Sequence, residues 1–236
     1  TPQPEQGLRI KPAGSITALH IHPLFTHSPN HNDSMTMKAC IYGAGAIGGW
    51  LGVALAQAGH PVSLVARGET LRALQTQGLR MRRTDGTLAQ VSVTAHSAPA
   101  TLGVQDLVII AVKAPGLPDV ARAIAPLLGP HTVVLTAMNG VPWWFLDGVG
   151  GAAQGRALES VDAGGVIAQA IPARSVLGGV VHASCSLEAP GFVRHHFGDR
   201  LILGEPDGSR SARLLALADS LQRGGIQAEV SDCIQK

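Results

Sequence analysis

Residues 37–50 read MKACIYGAGAIGGW, and this stretch indicates the fold. Its first half, Lys38–Tyr42, is a short apolar run that predicts a β-strand. Its second half continues into Ala46–Ala58, where small and apolar residues predict a helix that closes at Gly59. A strand joined to a helix by a glycine-rich turn is the opening unit of a nucleotide-binding α/β domain.

The glycines of this stretch fit the G-x-G-x-x-G pattern that binds the pyrophosphate of a dinucleotide. Gly43 allows a tight turn, Gly45 lets the backbone approach the ligand, and Gly48 lets the helix pack close to the strand. The helix N-terminus then offers free N–H groups and a positive dipole end to the anion. The alternative is a glycine-rich junction without a ligand. The cofactor-binding residues predicted in this turn are Gly43, Ala44, Gly45, Ala46, Ile47 and Gly48.

Strand and helix patterns alternate as far as Asn139 and predict an α/β, Rossmann-like, doubly wound parallel sheet. The further strands are expected at Pro61–Ala66, Asp106–Val112 and Thr132–Ala137, the helices at Glu69–Gln77 and Leu117–Leu128, and a hairpin at Leu79–Val93. Additional β segments are expected at Ala157–Ala170, Ser175–Ser184 and Gly191–Leu203, followed by a helix at Ser209–Gln222 and a strand at Ile226–Ser231. The domain so defined runs over 37–231, and Asp232–Lys236 is expected to begin one more helix.

Composition narrows the class of protein. Of the 236 residues, 45% are hydrophobic, which suits buried parallel strands. The formal net charge is only +2, so nothing favours a nucleic-acid or membrane partner. The three cysteines form no disulfide framework and no Cys-x-x-Cys metal pair, which favours a reducing, cytoplasmic location.

Residues 1–36 differ from the rest and predict a disordered leader, because they are rich in proline and show no sustained period. One alternative is a metal site, for which the candidate ligands are His20, His22, His27 and His31, although no folded scaffold would fix their geometry. Another is a transit peptide. A third, which we favour, is that translation starts at Met35 or Met37, because the first strand follows directly.

The tip of the second strand bears on the identity of the cofactor. A site that prefers NAD places Asp or Glu there, to accept a hydrogen bond from the ribose 2′-hydroxyl. This strand instead ends Val65-Ala66-Arg67-Gly68, and Arg67 offers a planar fork suited to a phosphate. The residues therefore favour NADP(H). The alternative is that Arg67 is an ordinary surface arginine and Glu69 takes the acidic role.

Two polar residues follow buried strands at positions where open parallel sheets bind ligands. Lys113 follows the run DLVIIAV and can offer a positive charge to an anionic cofactor or substrate. Asn139 follows VVLTAM and can donate and accept hydrogen bonds near a nicotinamide. The alternatives are that Lys113 is a solvated lysine and that Asn139 is a turn residue before Gly140.

Taken together, the motifs IYGAGAIG, LVARG, VIIAVKA and LTAMNGVPWW resemble the ketopantoate reductase (2-dehydropantoate 2-reductase) family. The later stretch GGVVHASCSLEAPGFVRH, with FGDRLILGE, resembles the family's later β segments. The resemblance covers residues 37–236. It implies NADPH-dependent reduction of ketopantoate to pantoate, on the route to pantothenate and coenzyme A.

The resemblance also implies roles for individual residues. Arg67 would bind the 2′-phosphate, Lys113 would be the cofactor-side lysine, and Asn139 would touch both nicotinamide and substrate. Ser184 falls near a family cofactor contact. The family's general-acid lysine is expected beyond Lys236, together with an all-α C-terminal domain that this sequence does not include.

Three hypotheses follow for the function. The first is an NADPH-dependent ketopantoate reductase, present as a truncated and inactive chain. The second is an NADP(H)-binding module without reductase activity, and the third is a reductase of another 2-keto acid. The partner in the first and third is a small-molecule 2-keto acid, and a homo-oligomer is compatible with all three.

Overall fold

The structure is a computed structural model that describes residues 36–236, together with Thr1. The predictions for the leader, including its histidines, lie outside the described residues. Residues Thr36–Lys236 form one unit built around a sheet of ten strands.

The strands follow the order β4-β3-β9-β8-β7-β6-β1-β2-β5, and β10 pairs with β9 beside this path. All pairs are parallel except β3 with β4 and β8 with β9. The predicted Rossmann-like sheet of mainly parallel strands is therefore confirmed. The strands are β1 (Ala39–Tyr42), β2 (Val62–Val65), β3 (Leu79–Arg82), β4 (Leu88–Val91), β5 (Thr94–His96), β6 (Leu107–Ile110), β7 (Val133–Ala137), β8 (Val176–Ala189), β9 (Phe192–Gly204) and β10 (Gln227–Val230).

Five α-helices connect the strands of the described region: α1 (Ala46–Gln57), α2 (Gly68–Gln77), α3 (Leu117–Ala123), α4 (Val166–Ala170) and α5 (Ala212–Arg223). Helix α3 is shorter than predicted, because the chain turns into a 3₁₀ segment that contains Pro126. Proline lacks the N–H that would continue the helical ladder.

The helices cover both faces of the sheet, and β1 shows why. Successive side chains of a strand point to opposite faces. Ile41 packs into a core with Leu51 of α1 and Leu217 of α5. Tyr42, the next residue, packs into a second core with Leu117 of α3. The two cores are those of a doubly wound domain.

The prediction of a β segment at Ala157–Ala170 is wrong. The segment contains a 3₁₀ turn, Ala163–Gly165, and then α4. Gly164 and Gly165 both have φ of 69°, which breaks any extended run. The Asp162 carboxylate then accepts hydrogen bonds from the N–H groups of Ile167 and Ala168, at 2.8 and 2.9 Å, and fixes the start of α4.

Two smaller expectations also change. The short strand β5 follows the predicted hairpin and was not expected, and it forms the edge of the sheet beside β2. Asp232–Lys236 form a bend and a turn rather than the start of a helix. Within this segment Ile234 is buried, and it contacts the backbone region of Gly178 and Gly204.

Candidate functional site

The candidate site lies at the carboxyl ends of β1, β2 and β6. Strand β1 pairs with β2 on one side and with β6 on the other, so the strand order reverses at this point. Ligands of open parallel sheets bind in the crevice at such a reversal. Here the crevice is a cleft of ≈ 300 Å³, whose walls include Tyr42, Gly43, Ala44, Arg67, Thr70, Gly116 and Asp119.

Gly43 and Gly48 have the geometry that the glycine pattern requires. Gly43 has φ of 111°, a conformation that side chains with Cβ rarely adopt. A Cβ on Gly48 would lie 2.1 Å from the Gly43 carbonyl oxygen and 2.9 Å from Cγ2 of Ile41. Helix α1 can therefore approach β1 this closely only because residue 48 is glycine.

Gly45 is different, because a Cβ there would meet no atom of the described chain within 4 Å. Its backbone is extended, with φ of −84°, so the fold itself does not require glycine at this position. Gly45 caps α1, whose first turn has no side-chain cap and no acidic residue. The first N–H groups of α1, from Ala46 and Ile47 onward, are therefore free of side-chain acceptors and suit an anion.

Arg67 lies at the N-terminus of α2 and in the wall of the cleft. Its side chain is exposed, and among residues 36–236 it takes part in no side-chain hydrogen bond or ion pair. An unpaired guanidinium beside a dinucleotide turn suits a phosphate. Glu69 is also exposed and stands in the first turn of α2, but it is not part of the cleft wall.

The chemistry-bearing residues that sequence reasoning missed are Tyr42 and Asp119, which line the same cleft. Tyr42 is 6% exposed, and its hydroxyl has no hydrogen-bond partner in the described chain. Burial raises the pKa of the Tyr42 phenol, and the positive charge of Arg67 opposes part of that rise. Asp119 forms a 3.3 Å ion pair with Arg122. Its place directly before Gly43 puts Tyr42 next to the turn, but the sequence does not show that its hydroxyl lacks a partner.

Lys113 is exposed and caps a short 3₁₀ segment, Ala114–Gly116, just past the end of β6. Its carbonyl accepts a hydrogen bond from the Gly116 N–H at 2.8 Å. No ion pair within residues 36–236 engages its ammonium group. Lys113 therefore stands at the carboxyl edge of the sheet, as predicted, and its contact with a cofactor stays a prediction.

Asn139 makes a contact that the sequence did not indicate. Its Nδ2 group donates to the carbonyl of Val181 at 3.1 Å, and its Oδ1 accepts from the Val181 N–H at 2.9 Å. This two-point clamp ties the end of β7 to β8. One N–H of the amide stays available, so the clamp leaves Asn139 able to donate one further hydrogen bond.

Ser184 is half-buried in β8, three residues beyond Val181, so it lies about 10 Å further along the strand. The β8–β9 ladder is irregular on both sides of it. Ser184 does not line the cleft that contains Gly43 and Arg67. The cofactor contact of Ser184 therefore stays a prediction.

The site is therefore a glycine turn, a free helix N-terminus and an unpaired arginine gathered at one strand reversal. The fold and this cleft define the class, a Rossmann-type dinucleotide-binding domain. Within the part of the chain that the structure describes, no group of three or more metal-ligating side chains occurs. In the same residues, no helix is long and apolar enough to cross a membrane.

The chain belongs to the ketopantoate reductase PanE/ApbA family, which matches residues 39–208. A 2-dehydropantoate 2-reductase of Mesorhizobium japonicum is 48% identical over 200 residues. That match takes in 84% of this chain and 61% of the relative. The chain thus spans about three fifths of that relative's length.

Solved structures agree on the fold. A protein described as a ketopantoate reductase, from Ralstonia solanacearum MolK2, is 54% identical with a TM-score of 0.81, and the match covers 85% of this chain and 62% of that one. D-mandelate dehydrogenase, in a ternary structure with NADH and anilino(oxo)acetate, is 26% identical with a TM-score of 0.63, and the match covers 83% of this chain and 57% of that one. Reductases of the ketopantoate family use NADPH.

Proposed function

We propose that this chain is the cofactor-binding part of an NADPH-dependent 2-dehydropantoate 2-reductase. The observation that carries the proposal is the cleft, where the glycine turn and the free N-terminus of α1 meet the unpaired Arg67. Family membership supplies the reaction, the reduction of a 2-keto acid to a 2-hydroxy acid. The three cysteines are free thiols, which is in keeping with a cytoplasmic location.

In this proposal the chain's own residues hold and orient the cofactor. The backbone of residues 43–48 faces the pyrophosphate, and Arg67 pairs with the 2′-phosphate. Bound NADPH supplies the hydride for the C2 ketone. Lys113 places a positive charge at the same edge of the sheet, and Asn139 offers its remaining N–H to the nicotinamide or the keto acid.

The proton for the reduced oxygen needs a separate donor, which typically contributes about 10²–10⁴-fold to the rate. Lys38 directly precedes β1, so it lies at the edge of the sheet opposite the cleft. In this proposal Lys113 contacts the cofactor and is not the proton donor. The family resemblance implies that this donor is a lysine outside residues 36–236, and we therefore expect this chain to bind NADPH but to turn over ketopantoate negligibly.

The experiment follows NADPH absorbance at 340 nm with the purified 236-residue chain and ketopantoate, and measures NADPH binding in parallel by fluorescence. Binding without measurable oxidation is the expected result. Rapid ketopantoate-dependent oxidation would contradict the placement of the proton donor. Absence of NADPH binding would contradict the proposal itself.

A second candidate is a reductase of another 2-keto acid. It is favoured by the structural likeness to D-mandelate dehydrogenase, whose structure holds the keto-acid analogue anilino(oxo)acetate. Titration of the NADPH complex with ketopantoate or with phenylglyoxylate, followed by NADPH fluorescence, separates the two candidates, because it reports binding of the keto acid without requiring turnover.

A further inference from the structure

Tyr42 poses a question that the glycine turn does not answer. It is the last residue of β1 and the only tyrosine of the chain. Its hydroxyl is buried without a hydrogen-bond partner in the described residues. A buried polar group without a partner is costly, and native structures usually supply one from protein, water or ligand.

The surroundings of Tyr42 indicate what that partner is. The residue lines the ≈ 300 Å³ cleft together with Arg67, at the end of the neighbouring strand β2. Burial raises the pKa of the phenol, so near neutral pH the hydroxyl is an intact O–H donor. Arg67 adds N–H donors and a positive charge that no acidic side chain of the described chain neutralises. The acid in the cleft wall, Asp119, is engaged with Arg122.

We propose that Tyr42 is a further specificity-determining residue, whose hydroxyl donates a hydrogen bond to the 2′-phosphate of NADP(H) beside Arg67. The inference rests on the proposed function only in its choice of cofactor. A phosphate monoester presents several acceptor oxygens and a negative charge. It therefore matches a site with two donors, the neutral hydroxyl of Tyr42 and the cationic guanidinium of Arg67. NADH lacks that group and leaves the buried phenol unpaired, so the site discriminates against it.

The first test is Tyr42→Phe, which keeps the ring and removes only the hydroxyl. The dissociation constant for NADPH is expected to rise roughly tenfold, while that for NADH changes little. The variant without ligand is expected to be no less stable than the parent, because it loses an unpaired polar group. Equal weakening of NADPH and NADH, or no weakening of either, would overturn the proposal.

The second test uses the fact that the chain has one tyrosine. Protein labelled with ¹³C at the tyrosine Cζ gives a single resonance, which reports on the hydroxyl. Titration with 2′,5′-ADP is expected to shift this resonance, whereas 5′-ADP leaves it nearly unchanged. Equal shifts with both nucleotides, or binding of 2′,5′-ADP without any shift, would overturn the assignment.

These readouts separate the inference from the proposed function. A chain that binds 2′,5′-ADP through Tyr42 but reduces no keto acid would refute the reductase and keep the inference. A chain that binds neither NADPH nor 2′,5′-ADP would refute both. Asp119→Asn serves as a matched variant in the same cleft, and it should strengthen NADPH binding because it removes a negative charge near the phosphate.

Discussion

Replacing Gly45 by alanine is expected to weaken cofactor binding without destabilising the fold. The backbone there, with φ of −84° and ψ of −167°, is open to alanine. The new methyl group would meet no protein atom within 4 Å, so it would occupy only the space through which a pyrophosphate approaches. Alanine lowers the conformational entropy of the unfolded chain, which stabilises the fold, but it caps a helix slightly less well than glycine does. Because these two effects oppose each other, the free energy of unfolding should change by less than about 1 kcal/mol.

The loss of binding follows from the hydrogen bonds that the methyl group blocks. A hydrogen bond to a charged group contributes about 1.5–3 kcal/mol. Loss of one such bond raises the dissociation constant for NADPH about 10- to 100-fold. Urea unfolding and NADPH fluorescence titration measure the two effects independently.

Gly48→Ala is the matched control, because it makes the same chemical change three residues away. There the added Cβ would lie 2.1 Å from the Gly43 carbonyl oxygen, so α1 must move away from β1. Overpacking of this kind costs about 1–3 kcal/mol or more, and it should lower stability and binding together. If Gly45→Ala unfolds as readily as Gly48→Ala, or binds NADPH as tightly as the parent chain, the reasoning about the turn is refuted.

Three further predictions concern other positions. Arg67→Ala should weaken NADPH far more than NADH in equilibrium titrations, and equal losses would refute a 2′-phosphate role. Asn139→Ala should lower the free energy of unfolding by about 1–3 kcal/mol, because it removes both hydrogen bonds to Val181; unchanged urea midpoints would show that the clamp is not formed in solution. His60 accepts the Met37 N–H at 3.1 Å, and burial, with a smaller contribution from Arg223, lowers the pKa of its imidazole from 6.5. Its contribution to stability is therefore full above about pH 6.5 and declines as the pH falls through that value. The parent chain should lose more stability between pH 7.5 and pH 5 than His60→Asn, and parallel pH profiles would contradict this.

The sequence predicted the conformation of the glycine turn well, because Gly43 and Gly48 each have a local structural cause. The φ of Gly43 and the contact between Gly48 and β1 are fixed within a dozen residues of chain. The position of Arg67 after β2 was equally predictable, since the end of a strand can be read from the sequence, while its contact with a phosphate stays a prediction. The parallel sheet was also predictable, because the alternation of strands and helices is visible in the local hydrophobic pattern.

The misses depend on partners that are distant in sequence or on backbone detail. Asn139 forms hydrogen bonds with Val181, which lies 42 residues further along the chain, so no local sequence pattern predicts the contact. Tyr42 reads as an ordinary strand residue, and only the folded cleft shows that its hydroxyl has no partner. The segment 157–170 has apolar residues that suit a strand, but two adjacent left-handed glycines and the Asp162 cap make it helical.

The pairing of strand β9 affects how this protein folds while it is being synthesised. Its first residues, Phe192–Arg194, pair with β3, and its later ones, Arg200–Leu203, pair with β10, while β8 runs along its other edge. Strand β3 is therefore translated more than a hundred residues before the neighbour that completes it. Until β9 leaves the ribosome, the edge of β3 that later pairs with β9 is exposed, and its free backbone groups can pair with other chains. Slow synthesis between these strands should therefore make this protein depend on chaperones, even though its cofactor turn is formed within the first dozen residues of the domain.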